Sequence, residues 1–176
     1  MHRLTLAALT ALAACAAPGP RESFRDAGRG IYSNAVFEAP RLAGHWLQVA
    51  AFAAPNAADC RAGVADFVPQ GDHFILNASL CLSGRSIRYS GVVTSGNVGS
   101  HAGRMLLGGA DPAGIGQPWW VLWVDTDYRT MAIGTPSGDF GFILNRSATL
   151  PPDRLNAARE VFGWNGYDTT RLRLLN

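Results

Sequence analysis

Between Gly44 and Arg146 the apolar residues come in short runs, several of them alternating with polar ones, and glycine, proline, asparagine and aspartate divide the runs. An alternation of period two predicts β-strands. Eight runs stand out: GHWLQVAAF (44–52), RAGVADFV (61–68), HFILNASLCL (73–82), SIRYSGVVTS (86–95), GRMLLGG (103–109), QPWWVLWVD (117–125), YRTMAIGT (128–135) and DFGFILNR (139–146). Short strands with turn residues between them predict an all-β sandwich or closed barrel. Trp119 to Val124 and Phe140 to Leu144 are apolar on both alternating sets. Strands of that kind hide both faces, one in the interior and one beneath a cover.

One segment changes period. In PPDRLNAAREVFG (151–163), Leu155, Ala158 and Phe162 form a stripe at helical spacing. Two prolines and Asp153 suit its first turn, and Gly163 is expected to end it. The closing YDTTRLRLLN predicts a ninth strand.

The N-terminus is organised differently. His2 and Arg3 precede an apolar run from Leu4 to Ala14, as in an export signal, and the run is too short to span a membrane as a helix. Leu12-Ala13-Ala14-Cys15 resembles the bacterial lipobox, in which the cysteine is acylated and becomes the new N-terminus. This reading makes residues 1–14 a signal peptide, 15–34 a lipidated flexible tether with Pro18, Pro20, Gly28 and Gly30, and 35–176 one domain. Ala16, where aspartate often marks inner-membrane retention, points to the outer membrane. An ordinary secretory signal is the alternative.

With Cys15 acylated, Cys60 and Cys81 remain as an even pair in an oxidising compartment. A hairpin turning at Gln70-Gly71 places them directly opposite one another, close enough for a disulfide. A turn at Gly71-Asp72 shifts the register, and two free thiols are the other outcome. All 15 basic residues are arginine, scattered singly, against 13 acidic ones. Nothing in that balance suggests nucleic acid.

Eight strands, a helix and a ninth strand follow the order of a lipocalin barrel, and three motifs carry the same resemblance. Gly44-His45-Trp46 resembles the lipocalin Gly-x-Trp motif, Thr126-Asp127-Tyr128 its Thr-Asp-Tyr motif, and Arg146 its third-motif arginine. Over residues 35–176 the chain is similar to bacterial outer-membrane lipocalins. It departs from them at Leu47 and Gln48, where that group usually has tyrosine and glutamate. The resemblance implies an eight-stranded up-and-down barrel with an outer helix, closed at its base by Trp46 and Arg146. It also implies an anchored protein facing the periplasm of a Gram-negative cell.

Alternation from Trp46 places Gln48, Ala50 and Phe52 inward and Leu47 and Val49 outward. Counting back from Arg146 places Leu144, Phe142 and Phe140 inward. On the sixth run either Trp119, Val121 and Trp123, or Trp120, Leu122 and Val124, face the lumen. Either wall is apolar and suits an acyl chain. A rim arginine, Arg88 or Arg104, could meet a headgroup. His45, His73 and His101 fall on separate elements, and no HExxH, CxxC, phosphate-binding loop or GxSxG occurs. The expected function is therefore non-enzymatic, without cofactor or metal: binding, storage or transport of a fatty acid or lysophospholipid. The rival is a structural or protein-interaction lipoprotein with a filled barrel.

Overall fold

A computed structural model describes residues 23–96, 102–108, 115 and 118–176. Residues 1–22, with the signal and Cys15, lie outside the described residues, as does most of the glycine-rich 108–117 loop. The strands are β1 (Gly44–Phe52), β2 (Val64–Gln70), β3 (His73–Leu82), β4 (Arg85–Ser95), β5 (Arg104–Leu107), β6 (Trp119–Val124), β7 (Thr130–Gly134), β8 (Gly141–Asn145) and β9 (Leu172–Leu174). Helix α1 (Pro152–Trp164) comes between β8 and β9.

Each strand from β1 to β8 pairs antiparallel with the next, and β8 returns to β1, closing an eight-stranded barrel. On one edge of β1, Gly44–Leu47 pair with β2 and Ala50–Phe52 pair with β9. The ninth strand thus fills the length of edge that β2 leaves free, and closure removes the long open edges of a flat sheet.

Two apolar clusters result. One fills the interior and includes Trp46, Phe67, Leu76, Leu80, Met105, Trp119 and Phe142. The other lies between the outer barrel wall and α1, around Phe52, Leu122, Ile143, Ala158 and Phe162. Phe52 meets both Phe162 and Tyr167 at ring-centroid distances of 4.9 Å. The doubly apolar runs are strands that serve both clusters.

Bulges decide which residue serves which. Register slips between Gln48 and Ala50 on β1 and between Val121 and Trp123 on β6. A bulge adds one residue and reverses the alternation beyond it. Ala50 and Phe52, expected inward, therefore face the helix, and Ala51 enters the interior. On β6 neither alternating set holds: Trp119, Val121 and Val124 point in, while Trp120, Leu122 and Trp123 point out.

The β2–β3 hairpin turns at Gly71-Asp72, with Gln70 opposite His73. Gly71 has φ +64, which suits the first central position of a type II′ turn. The register is thus shifted from the Gln70-Gly71 hairpin, and Cys60 lies in the loop before β2. That loop still brings Cys60 to Cys81, with Cα atoms 5.7 Å apart and a disulfide between them.

Helix α1 runs past Gly163 to Trp164. Gly166, at φ +83, ends it: Tyr167 N–H bonds to the Phe162 carbonyl and Gly166 N–H to that of Gly163. This is a Schellman motif, and the rings of Tyr167 and Phe162 make its apolar contact at 5.1 Å. The segment expected as a tether is, from Ser23 onward, docked on the domain. Phe24 is buried in the outer cluster, and Arg25 donates to the carbonyls of Asn165, Pro136 and Arg29.

Candidate functional site: the barrel interior and its two ends

The floor is built where β1 begins. Gly44 has φ +98, a left-handed conformation open to glycine, and turns the chain from a short 3-10 segment (Ala39–Leu42) under the barrel. A Cβ there would lie 3.3 Å from the Arg146 guanidinium. Trp46 is fully buried, and its indole N–H donates to the Leu42 carbonyl at 2.7 Å. The Arg146 guanidinium carbon lies 3.7 Å from the Trp46 ring centroid. Its nitrogens donate to the carbonyls of His45 (2.9 Å), Arg41 (3.0 Å), Leu42 (3.3 Å), Ala43 (2.9 Å) and Tyr128 (3.4 Å). Burial lowers the Arg146 pKa from its ordinary value, and the group remains a cation. A guanidinium engaged in this way ties the start of β1 to the segment before it and to the β6–β7 turn.

The β6–β7 turn supports the same end. Tyr128, at φ +55, accepts the Glu38 N–H on its hydroxyl at 2.6 Å and carries Arg41 over its ring. Thr126 is exposed, and Asp127 makes a surface ion pair with Arg129. The carboxylate that organises the turn is Asp125, just before the motif. It is buried and accepts the N–H groups of Arg129 and Thr130, both at 2.6 Å. The motif spelling does not reveal it; its place after the apolar run of β6 is the only cue.

Above the floor the wall is aromatic and aliphatic. Trp119 meets Phe142 edge to face at 5.1 Å, and Phe140 stacks on Phe142 at 6.2 Å. Leu144 is also in this interior cluster. Gln48 faces inward and is fully buried. Its amide donates to the Cys81 carbonyl at 2.8 Å and accepts the Cys81 N–H at 2.7 Å, substituting for a strand neighbour. Of the expected lumen residues, the structure brings together Gln48, Trp119, Phe140, Phe142 and Leu144, and moves Ala50, Phe52 and Trp123 to the outer face.

At the opposite end, Ser83 in the β3–β4 turn donates its hydroxyl to the Asp139 carbonyl at 2.9 Å. That contact joins hairpin tips from opposite sides of the barrel. Neither expected rim arginine faces the lumen. Arg88 pairs with the outward Ser79, and Arg104 lies over the outward Trp120 with its guanidinium carbon 4.0 Å from the ring centroid. His45 pairs with Asp66 and His73 with Asp72 at the surface, and His101 lies outside the described residues. Among the described residues no group of three or more metal-ligating side chains assembles.

Residues 37–176 match the family model described as a lipocalin-like domain. Temperature-induced lipocalin-1 of Arabidopsis thaliana is 35% identical over 54 residues, covering 31% of this chain and 29% of that protein. The matched stretch thus spans under a third of that relative. Among solved structures, lobster apocrustacyanin A1 aligns with a TM-score of 0.56 at 20% identity over 77% of each chain. H1 crustacyanin from the lobster Homarus americanus aligns at 0.54 with 19% identity, over 84% of this chain and 77% of that one. Ex-FABP, a siderocalin described as functioning through dual ligand specificities, aligns at 0.54 with 15% identity over 77% of this chain and 93% of its own. At these identities the structural likenesses concern the fold.

Proposed function

Because this chain belongs to the lipocalin-like domain family, we propose that it is a carrier that holds a fatty acid or lysophospholipid in its barrel and stores or transports it. Proteins of this family generally bind small hydrophobic ligands and are generally not enzymes. The observation that carries the reading is an apolar barrel interior above a floor closed by Trp46 and Arg146. Gln48 and Thr135 are buried polar residues, and both are hydrogen-bonded within the protein. A ligand body inside would gain affinity from apolar burial, at roughly 25 cal/mol per Å² before the entropic cost of association.

The setting is part of the proposal. Acylation of Cys15 would tether the domain to the outer membrane of a Gram-negative cell, facing the periplasm. The Cys60–Cys81 disulfide suits that oxidising compartment. Three acyl chains would exceed what stable anchoring requires.

One observation favours the rival reading of a structural or protein-interaction lipoprotein. Trp119, Phe142, Phe67 and Met105 are all fully buried in the interior cluster. A lumen packed solid by them would admit no chain. Native mass spectrometry of the domain lacking Cys15, after exposure to an envelope lipid extract, separates the two. A carrier retains one lipid per barrel, and its tryptophan emission changes on titration with fatty acids. A barrel that emerges without lipid and ignores added fatty acid refutes the carrier.

A further inference from the structure

Among the described residues, the polar groups of the floor and wall are already engaged within the protein. At the floor, Arg146 is occupied by five backbone carbonyls. In the wall, the Gln48 amide is taken by Cys81, and the Tyr89 hydroxyl donates to the Gly108 carbonyl at 2.5 Å. That leaves the mouth.

There the β3–β4 hairpin sets one cation on the inward face. Ser83 and Gly84 have φ of 51° and 74°, as a type I′ turn requires, so Leu82 and Arg85 are direct cross-strand partners. Direct partners share a face of the sheet. Leu82 is 2% exposed and belongs to the interior cluster, as do Ile87 and Tyr89, the next inward positions after Arg85 on β4. Arg85 is thus the uppermost inward position of β4. It is exposed and makes no hydrogen bond or ion pair with another described residue. Three other arginines are placed elsewhere. Arg88 is on the outer face, Arg173 donates to the carbonyls of Ala54 and Pro55, and Arg61 lines an outside cleft beside Cys60 and Leu174.

We propose that Arg85 selects ligands with an anionic end, holding a carboxylate or phosphate at the mouth while the acyl chain runs down the lumen. A guanidinium meets either group with paired donors. This rests on the carrier reading. The test compares hexadecanoic acid, hexadecyl phosphate and hexadecan-1-ol at pH 8, titrated into the wild-type protein, Arg85→Gln, Arg85→Glu and the outer-face control Arg88→Gln. Wild type and Arg88→Gln are expected to prefer the two anionic ligands over the alcohol by roughly three- to tenfold, the range of an exposed charge pair with paired hydrogen bonds. Arg85→Gln removes the preference, and Arg85→Glu reverses it. Preference for the acid alone, or for the phosphate alone, names the headgroup that Arg85 serves. If wild type binds all three ligands equally, or Arg85→Gln keeps the preference, the role of Arg85 is refuted and the carrier reading stands. If none of the three binds wild type, the carrier reading fails and takes this inference with it.

Discussion

Two side chains do work for which their residue types give little warning. Arg146 lies on the Trp46 ring while donating to carbonyls of the 3-10 segment, β1 and the β6–β7 turn. Arg146→Ala removes charge-assisted hydrogen bonds and the cation–π contact together, and is expected to lower stability by about 2–4 kcal/mol in urea unfolding. Arg146→Lys should recover less than half, because an ammonium lacks the planar fork. Ligand affinity measured well below the melting temperature should be unchanged in either variant; a stable variant that no longer binds ligand would move the pair from floor to site. Gln48 is the second case. Gln48→Leu leaves the buried N–H and C=O of Cys81 without partners. The expected loss is about 1–3 kcal/mol, seen as a lower urea midpoint at constant slope.

Among the elements, hairpins and bulges decide more than strand content does. The strand runs were legible because period-two patterning follows directly from the pleat. The inward set was not, because one bulge on β1 and one on β6 reverse it partway along. A bulge leaves no mark in composition; here it lets Gln48 and Ala51 both face in while Phe52 covers α1. The disulfide carries a lesson of the same kind. Equal spacing about a turn suggested the pair, but the turn is one residue further on, and a loop residue supplies Cys60. Such a bond staples the β1–β2 loop to β3. Cys60→Ser with Cys81→Ser should cost roughly 2–4 kcal/mol. Hydrogen exchange should then speed up first across 53–63, with the amides around Trp46 still protected. Uniform loss of protection would mean that the bond supports the whole barrel.

For the molecule as a whole, the barrel, the helix and the N-terminal segment are joined at Tyr167. Its hydroxyl accepts the Thr135 N–H at 2.8 Å and lies 3.0 Å from the Phe140 carbonyl, its ring packs on Phe52 and Phe162, and its backbone bridges to Arg25. Burial pushes its pKa up to about 12. The folded state therefore keeps this proton where the unfolded chain, titrating near pH 10, releases it. Stability from this group is complete below about pH 10 and falls by roughly 2–3 kcal/mol as pH rises toward 12. In an alkaline titration followed by tyrosine absorbance, one tyrosine should ionise late and together with loss of the near-ultraviolet circular dichroism signal. Ionisation of all tyrosines near pH 10 without unfolding would contradict that environment.

The sequence by itself determined the number and order of the strands and the outer helix, and its motifs pointed to the floor in Gly44, Trp46 and Arg146. These follow from local periodicity, turn chemistry and short motifs, each contained within a few neighbouring residues. Only the tertiary structure decided which residues line the lumen and that residues 23–34 dock on the domain. It alone placed Asp125 at the base turn, Gly166 at the helix end and Arg85 inward at the mouth. Those outcomes depend on register, and register is set by bulges, turn geometry and contacts between residues far apart in the chain. A single inserted position is enough to exchange the inside of a strand for its outside.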